Sequence, residues 1–350
     1  MRVLILGPVV NNKTSGGVAV FDEGLCNGFK ELGDESNILS IEKSSKLDNL
    51  VIESNKPKPS KIPFLTGRIA KAIKQYKPDL VISSLQYSIG IKKYKRKWPS
   101  AKYIQVLHGF PCPINGKFKS WSVNKVAKYS RKHFNYVVTV SFLSYAINKK
   151  INNILCDKVI HNGCALVPNN SNSERTIDFI YVGRLFRDKE VEMIGDAFKL
   201  LKNAKPELKL AVAGFGELEP LFTNGKFKDS GIEYLGKLTQ DQVRDYLSRS
   251  KFFISMNPLE PFGTVFNEAV MNGCNIVTQS SNGSMALFLK KDYFHCADCV
   301  NKNELSNRLL MISDSYTPIS NEEKQKFVDY MSFRRAAKEY KDLAFENKEQ

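Results

Sequence analysis

Phe252-Phe253-Ile254-Ser255-Met256 is an apolar run of strand length, and it gives way to Asn257-Pro258-Leu259-Glu260-Pro261-Phe262-Gly263 and then to Thr264-Val265-Phe266-Asn267-Glu268-Ala269-Val270. The two prolines and the glycine cannot continue a strand. The residues that follow have helical composition, and Thr264, where the helix opens, is a good N-cap type. Strand, loop and helix therefore follow one another within a few turns of chain, which is half of a βαβ unit.

The same alternation extends in both directions. Toward the N-terminus of this stretch lie Ile177–Val182, Leu208–Ala213 and Ile232–Leu235, and after it Asn275–Thr278. A first series comprises Val3–Leu6, Asn37–Ser40, Leu80–Ser83, Tyr103–Leu107 and Tyr136–Val140, separated by helix-like stretches such as Val18–Leu32 and Arg68–Tyr76. Near-continuous apolar strands alternating with amphipathic stretches indicate parallel sheets covered on both faces. The rhythm breaks at the polar run from Val167 to Arg175. The sequence thus predicts two doubly wound α/β domains, 1–165 and 176–331, with a linker at 166–175. A final amphipathic helix lies within 332–350, its stripe being Phe333, Ala337, Tyr340 and Leu343 or Ala344. Glu53–Pro63, with three prolines and three lysines, reads as an exposed loop.

The composition fits: 350 residues, 42% hydrophobic and 25% charged, describe a core-forming protein rather than a disordered or fibrous one. The opening Met1–Gly7 is too short for a signal peptide, and the longest uncharged stretch, Phe134 to Asn148, is too short and polar to span a bilayer. Seven scattered cysteines suit a reducing compartment. Cys296 and Cys299 form one C-x-x-C beside His295, but no second ligand pair follows, so no metal site is expected. The expected location is the cytoplasm.

Several elements carry chemistry. Gly16-Gly17 precede the first helix, where backbone approaches a ligand closely and free N–H groups meet an anion, although plain turn chemistry explains them equally. The pattern is neither G-x-G-x-x-G nor a P-loop. His108 stands at the C-terminal tip of a strand, where ligands of open sheets bind. Gly183-Arg184-Leu185-Phe186-Arg187-Asp188-Lys189 is a cationic loop in which Arg184 offers a planar fork and Lys189 a point charge for a diphosphate; an ion pair of Arg187 with Asp188 is the plainer reading. Gly214-Phe215-Gly216 forms a turn leaving room for a nucleotide. In the 260–270 stretch the N–H groups around Gly263, Thr264 and Val265 suit a diphosphate backed by the helix dipole. Glu268 suits a ribose and Glu260 a transferred sugar, while exposed acids on an ordinary helix is the alternative.

Together these elements resemble the retaining family 4 glycosyltransferases of GT-B architecture. The resemblance rests on Gly183-Arg184-Leu185 with Lys189, Gly214-Phe215-Gly216-Glu217, and Glu260 through Glu268 with seven residues between the acids. Asn272–Val277, Ser281-Asn282-Gly283, Gly16-Gly17, His108-Gly109 and Val159–Gly163 follow in matching order. It implies two Rossmann-like domains facing a cleft, the first for the acceptor and the second for the nucleotide sugar, with the final helix crossing back to the first domain. It further implies a nucleotide-diphosphate sugar as co-substrate, no cofactor and no metal; no Asp-x-Asp pair is present. By the same resemblance His108, Arg184, Lys189 and Glu260 are catalytic, and Gly16, Gly17, Gly214, Gly216, Phe262, Gly263, Thr264, Val265 and Glu268 bind the donor. Transfer retains the anomeric configuration. Pro261, Asn275 and Asn282 depart from the family pattern, with Asn282 altering the wall of the donor pocket.

The net charge of +16 is confined to one half. Residues 1–165 hold 27 of the 52 Lys+Arg and 10 of the 36 Asp+Glu, +17, leaving 25 against 26, −1. Lys92-Lys93-Tyr94-Lys95-Arg96-Lys97-Trp98, the Arg68, Lys71 and Lys74 face, and the segment Lys117 to Lys132 with Phe118, Trp121 and Tyr129 concentrate it. Such a mixture suits an anionic membrane surface. The expected activity is transfer to a glycan acceptor, lipid-linked at the inner face of a bacterial cell membrane, for a surface polysaccharide. A small soluble or phosphorylated acceptor is a second reading, and a catalytically silent sugar-nucleotide binder a third. Nucleic-acid binding lacks the motif signatures it needs.

Overall fold

In the computed structural model the residues described are 1–11, 16–54, 58–110, 124–125, 128–129, 131–164, 174–228 and 230–346. The chain divides into two compact units, residues 1–165 with 331–350, and residues 166–330. Of the stretch expected as a linker, residues 166–173 lie outside the described ones.

The first unit is built on seven parallel strands: β1 (Arg2–Leu6), β2 (Glu35–Ser40), β3 (Leu50–Val51), β4 (Leu80–Ser84), β5 (Lys102–Leu107), β6 (Tyr136–Thr139) and β7 (Lys158–Val159). Their order is β3-β2-β1-β4-β5-β6-β7. Helices α1 (Gly17–Glu31), α2 (Ile62–Tyr76), α3 (Ile91–Lys97) and α4 (Phe142–Lys150) flank it. Val3, Leu4, Ile5 and Leu6 are fully buried, as expected of a central strand covered on both faces. The order reverses between β1 and β4, which makes the ends of these two strands the natural ligand crevice of this unit.

The expected loop at Glu53–Pro63 is partly wrong. A 3₁₀ turn occupies Pro59–Lys61 and α2 already begins at Ile62, so Pro63 sits in the first helical turn. Proline is accommodated there because its missing N–H has no helical acceptor in any case. The basic segment 92–98 also differs from expectation. Tyr94 is buried in the core, and the Trp98 indole N–H donates to Pro78 O at 2.8 Å, so neither is a surface aromatic. Exposed rings in contact with lysines include Phe64, 82% exposed with Lys61 Nζ 5.7 Å above it, and Tyr129, with Lys92 Nζ at 5.4 Å. Phe118 and Trp121 lie outside the described residues.

The second unit has six parallel strands: β8 (Ile177–Val182), β9 (Leu210–Ala213), β10 (Ile232–Gly236), β11 (Ser250–Ser255), β12 (Asn275–Thr278) and β13 (Phe294–Cys296). Their order is β10-β9-β8-β11-β12-β13, reversing between β8 and β11. The helices are α5 (Val191–Ala204), α6 (Pro220–Thr223), α7 (Gln240–Ser248), α8 (Thr264–Met271), α9 (Met285–Phe288), α10 (Lys302–Ile312) and α11 (Asn321–Tyr330). Phe179 and Phe252 stack at 5.2 Å across β8 and β11, with Phe198 of α5 edge-on to Phe179, and this aromatic layer fixes the two central strands in register. Strand β13 was not anticipated, since His295 interrupts its apolar run.

The last helix, α12 (Phe333–Phe345), belongs to the first unit. Ser332 caps it by accepting from Arg335 N at 3.1 Å. Its buried stripe is Ala336, Ala337, Tyr340 and Ala344, so Leu343 stands to the side. It packs on α1 at Gly24 and Gly28: a methyl group on Gly28 would lie 2.3 Å from Phe333 O. Lys341 Nζ binds Asp34 Oδ2 at 2.9 Å, and Arg335 donates to His161 O at 3.0 Å.

Candidate active site

In the second unit the β8 and β11 ends, on either side of the strand-order reversal, carry the cationic loop and the two-carboxylate segment. Val182 leads into Gly183-Arg184-Leu185, and a 3₁₀ turn over Arg187–Lys189 follows. Glu190 closes it in the left-handed region at φ 54°. That turn delivers Lys189 across to the β11 loop, where Nζ lies 2.8 Å from Glu260 Oε2. Asn257 Nδ2 donates to the same oxygen at 2.7 Å. Both members of the ion pair are mostly buried, with side chains 16% and 21% exposed. Desolvation makes such a pair strongly dependent on its partner: removing one leaves an uncompensated charge. Arg184 is unlike Lys189. Its guanidinium is 61% exposed, lies over the Phe186 ring at 5.3 Å, and reaches Asp188 only at 4.0 Å. The surface ion pair at this loop is therefore Arg184 with Asp188 rather than Arg187 with Asp188. Tyr181 OH holds the turn by donating to Arg184 O at 2.9 Å.

Gly263, not Thr264, is the N-cap of α8, in the left-handed region at φ 66°. A side chain there would meet Phe266 and Glu260 Cγ, at 2.6 and 2.8 Å. Glycine is thus required both by the backbone conformation and by the approach of Glu260. The N–H groups of Thr264 and Val265, in the first turn, have no acceptor within the helix. Phe262 is buried, whereas Thr264, Val265 and Glu268 are half-buried. Gly283 N donates to Glu260 O at 2.8 Å, Ser284 Oγ donates to Phe262 O, and Asn282 Oδ1 accepts from Ser284 N at 2.8 Å. Asn282 is buried and braces this turn from within, while Gly283 and Ser284 tie it to the Glu260 loop. Asn275, with its amide turned to match, pairs with Thr317 N and O at 2.9 and 2.8 Å.

The Gly214-Phe215-Gly216 turn packs against backbone. At Gly214 (φ 146°) a methyl group would lie 1.8 Å from Gly183 O, and at Gly216 (φ 155°) 2.4 Å from Leu185 O. Leu185 N donates to Phe215 O and Gly183 N to Ala213 O. Both glycines let the turn seat the Arg184 loop.

In the first unit Gly16 caps α1, and both Gly16 and Gly17 are exposed with open space where a side chain would stand. His108 follows β5. Its Nε2 lies 2.9 Å from Ser84 Oγ, whose hydroxyl is 2.8 Å from Asp22 Oδ1, and its ring stands edge-on to Phe21 at 4.9 Å. Burial pushes the imidazole down to about 3, so it is neutral near pH 7. His161 is likewise pushed down to about 4 by burial and then by Arg335. Asp22, Ser84 and Asn257 were absent from the sequence reading; the only signal for them is position, at or facing a strand's C-terminal end.

Among the described residues no helix is long and apolar enough to cross a membrane, and no cluster of three His, Cys, Asp or Glu side chains is placed to hold a metal ion.

Residues 166–330, all of the second unit, match the family model of glycosyl transferases group 1. The chain carries a group 1 glycosyltransferase domain. This glycosyltransferase domain contains the whole Lys189–Glu260 site. A stretch of 171 residues is 23% identical to the phosphatidylinositol N-acetylglucosaminyltransferase gpi3 subunit of Schizosaccharomyces pombe; it spans 46% of this chain and only 37% of that protein. Among solved structures, a glycosyltransferase from Rickettsia africae aligns at TM-score 0.72 and 18% identity, over 98% of this chain and 97% of that one. Sucrose-phosphate synthase from Thermosynechococcus elongatus aligns at 0.76 and 13%, over 98% of both chains. HepE of Anabaena, solved with UDP and glucose, aligns at 0.75 and 14%, over 98% and 99%. At these identities the likeness is one of fold, and the fold is GT-B: two parallel α/β units with seven and six strands.

Proposed function

We propose that this chain is a retaining glycosyltransferase that takes a sugar from a nucleotide-diphosphate donor without a metal ion. The observation that carries this reading is the Lys189–Glu260 pair at the strand-order reversal of the second unit, beside the free N–H groups that open α8. A diphosphate seated on the Thr264 and Val265 amides draws Lys189 toward it, and the exposed Arg184 fork closes from the β8 loop. Two cations and a helix terminus then stabilise the charge that develops as the sugar–phosphate bond breaks. Glu260, released from Lys189 but still held by Asn257, accepts a hydrogen bond from the transferred sugar, and Glu268 one from the ribose. His108, neutral and half-buried at the β5 end of the first unit, has an imidazole suited to a sugar hydroxyl. Same-face attack, with the departing phosphate taking the acceptor's proton, retains the configuration. HepE is solved with UDP and with UDP-glucose, and a pneumococcal O-GlcNAc transferase with UDP and GlcNAc, which makes UDP the first donor nucleotide to test.

The acceptor in this reading is a glycan carried on a lipid, as in synthesis of a surface polysaccharide, with the enzyme docked at the inner face of the membrane. Its support is the basic face of the first unit. Lys61, Arg68, Lys71 and Lys74 of α2 and its approach are exposed, as are Lys92, Lys93, Arg96 and Lys97 of the adjoining α3, with the exposed Phe64 ring among them. Turnover of UDP-sugars and co-sedimentation with vesicles test the two halves of the proposal separately. Hydrolysis or transfer abolished by Lys189→Ala supports the first; no turnover with any nucleotide sugar and no nucleotide binding defeats it.

A further inference from the structure

Asp22 of α1, Ser84 at the end of β4 and His108 after β5 form a chain at the strand-order reversal of the first unit. Ser84 Oγ stands 2.8 Å from Asp22 Oδ1 and 2.9 Å from His108 Nε2. Asp22 and Ser84 are both fully buried. One serine hydrogen serves two neighbours, so the chain has a direction, and the proton on Asp22 decides which. The groups acting on Asp22 are Glu23 and Cys26 of its own helix, Tyr87 from the turn after β4, and Tyr340 of α12; none is a cation. Burial, reinforced by Glu23 and only partly offset by Ser84, holds its carboxyl well above the usual range. Its Oδ2 is buried without a hydrogen-bond partner and lies under Gly7, where a methyl group would be 2.0 Å away. A buried hydroxyl hydrogen with no acceptor is rarer in proteins than an under-satisfied carbonyl-type oxygen. The proton therefore belongs on Oδ1 and the bare oxygen is Oδ2.

We propose that Asp22 and Ser84 are positioning residues for His108: Asp22 Oδ1–H donates to Ser84 Oγ, Ser84 O–H donates to His108 Nε2, and the imidazole consequently carries its one proton on Nδ1. His108 then offers a donor at Nδ1, fit for an oxygen lone pair of a sugar or phosphate. Loss of the Asp22 proton to solvent reverses the chain. The Ser84 hydrogen turns to Asp22, the histidine proton moves from Nδ1 to Nε2 and is donated to Ser84, and Nδ1 becomes an acceptor. The tautomer itself does not depend on the proposed activity; its use on a donor sugar rests on that reading.

Nitrogen-15 spectra of the full-length chain with labelled histidine test this directly, because protonated and unprotonated ring nitrogens resonate in separate regions. The chain has four histidines, and the signals lost in His108→Gln assign the relevant pair. At pH 7 the expected result is an unprotonated Nε2 and a protonated Nδ1. Asp22→Asn, whose amide N–H2 donates to Ser84 as the acid does, keeps that pattern, and Ser84→Ala mixes the two forms. A protonated Nε2 in the unmodified protein overturns the proposal, as does an unchanged pattern in Ser84→Ala. If Ser84→Ala fails to fold, the unmodified protein alone decides. UDP-sugar turnover on the same samples separates the two readings: turnover with the wrong tautomer sinks the relay only, and the predicted tautomer without turnover sinks the transferase reading only.

Discussion

Around pH 5, His108, His161 and Asp22 of the first unit bind protons differently in the folded and unfolded chain. His108 is pushed down to about 3 and His161 to about 4, while an unfolded histidine titrates near 6.5. Each is charged when unfolded and neutral when folded, so each contributes stability that is lost as pH falls below about 6.5 toward its folded value. Asp22 has the opposite sign. Its folded carboxyl keeps its proton well above the usual range, so its contribution is full below the unfolded value of about 3.9 and is lost as pH rises. One proton of difference is worth about 1.4 kcal/mol per pH unit. Asp22 therefore cancels one of the two histidines between about pH 4.5 and 5.5. Asp22→Asn removes the cancellation, and its stability should fall by about 1.4 kcal/mol more per unit of acidification than that of the unmodified chain. His108→Gln should fall by about 1.4 kcal/mol less. Urea midpoints followed by tryptophan fluorescence suit the measurement, since the two tryptophans, Trp98 and Trp121, both lie in residues 1–165. Surface carboxylates contribute equally to all three proteins and drop out of the differences. Parallel pH dependences for the three would refute the burial argument.

Other expectations follow from the same geometry. Lys189→Ala should lower kcat about 10²- to 10³-fold, the usual loss for one charge-stabilising group; kinetics with UDP-sugars that leave kcat unchanged would remove Lys189 from the leaving-group site. Glu260→Gln should lose turnover more than UDP affinity, and calorimetry showing the reverse would place Glu260 on the nucleotide. Gly28→Ala should lower stability by about 1–3 kcal/mol in urea titration, because its methyl group meets backbone of Phe333 rather than a flexible side chain; an unchanged midpoint would show that α12 does not depend on this contact. Lys92→Ser with Lys93→Ser should weaken binding to anionic vesicles about 30-fold, at about 1 kcal/mol per cation. Equal sedimentation with neutral and anionic vesicles would defeat the electrostatic docking.

The sheets were legible because parallel strands buried on both faces leave unbroken apolar runs; Ile177–Val182 and Asn275–Thr278 match in full, and the others differ at their ends. β3, β7 and β13 escaped because strands of two or three residues have no such run, and His295 interrupts the last of them. The Pro63 turn was hidden for a different reason: proline punctuates loops and first helical turns alike. At the site, residue types announced themselves but their pairing did not. Lys189 and Glu260 are 71 positions apart and meet at 2.8 Å, which only the β8–β11 adjacency brings about. The same holds for Asp22, Ser84 and His108, three separate elements joined by the order of β1, β4 and β5. The glycines at 214 and 216 admit the carbonyls of Gly183 and Leu185, a close approach that the spacing of the turn does not announce.

The central claim is a nucleotide-diphosphate site in the second unit, and thermal unfolding of the full-length chain with UDP, GDP, dTDP, ADP or CMP, without added metal, tests it most directly. Saturation at 100 times Kd with one nucleoside diphosphate should stabilise the protein by about 2.7 kcal/mol, and Lys189→Ala should reduce that shift. An unchanged Tm with all five nucleotides would contradict the account.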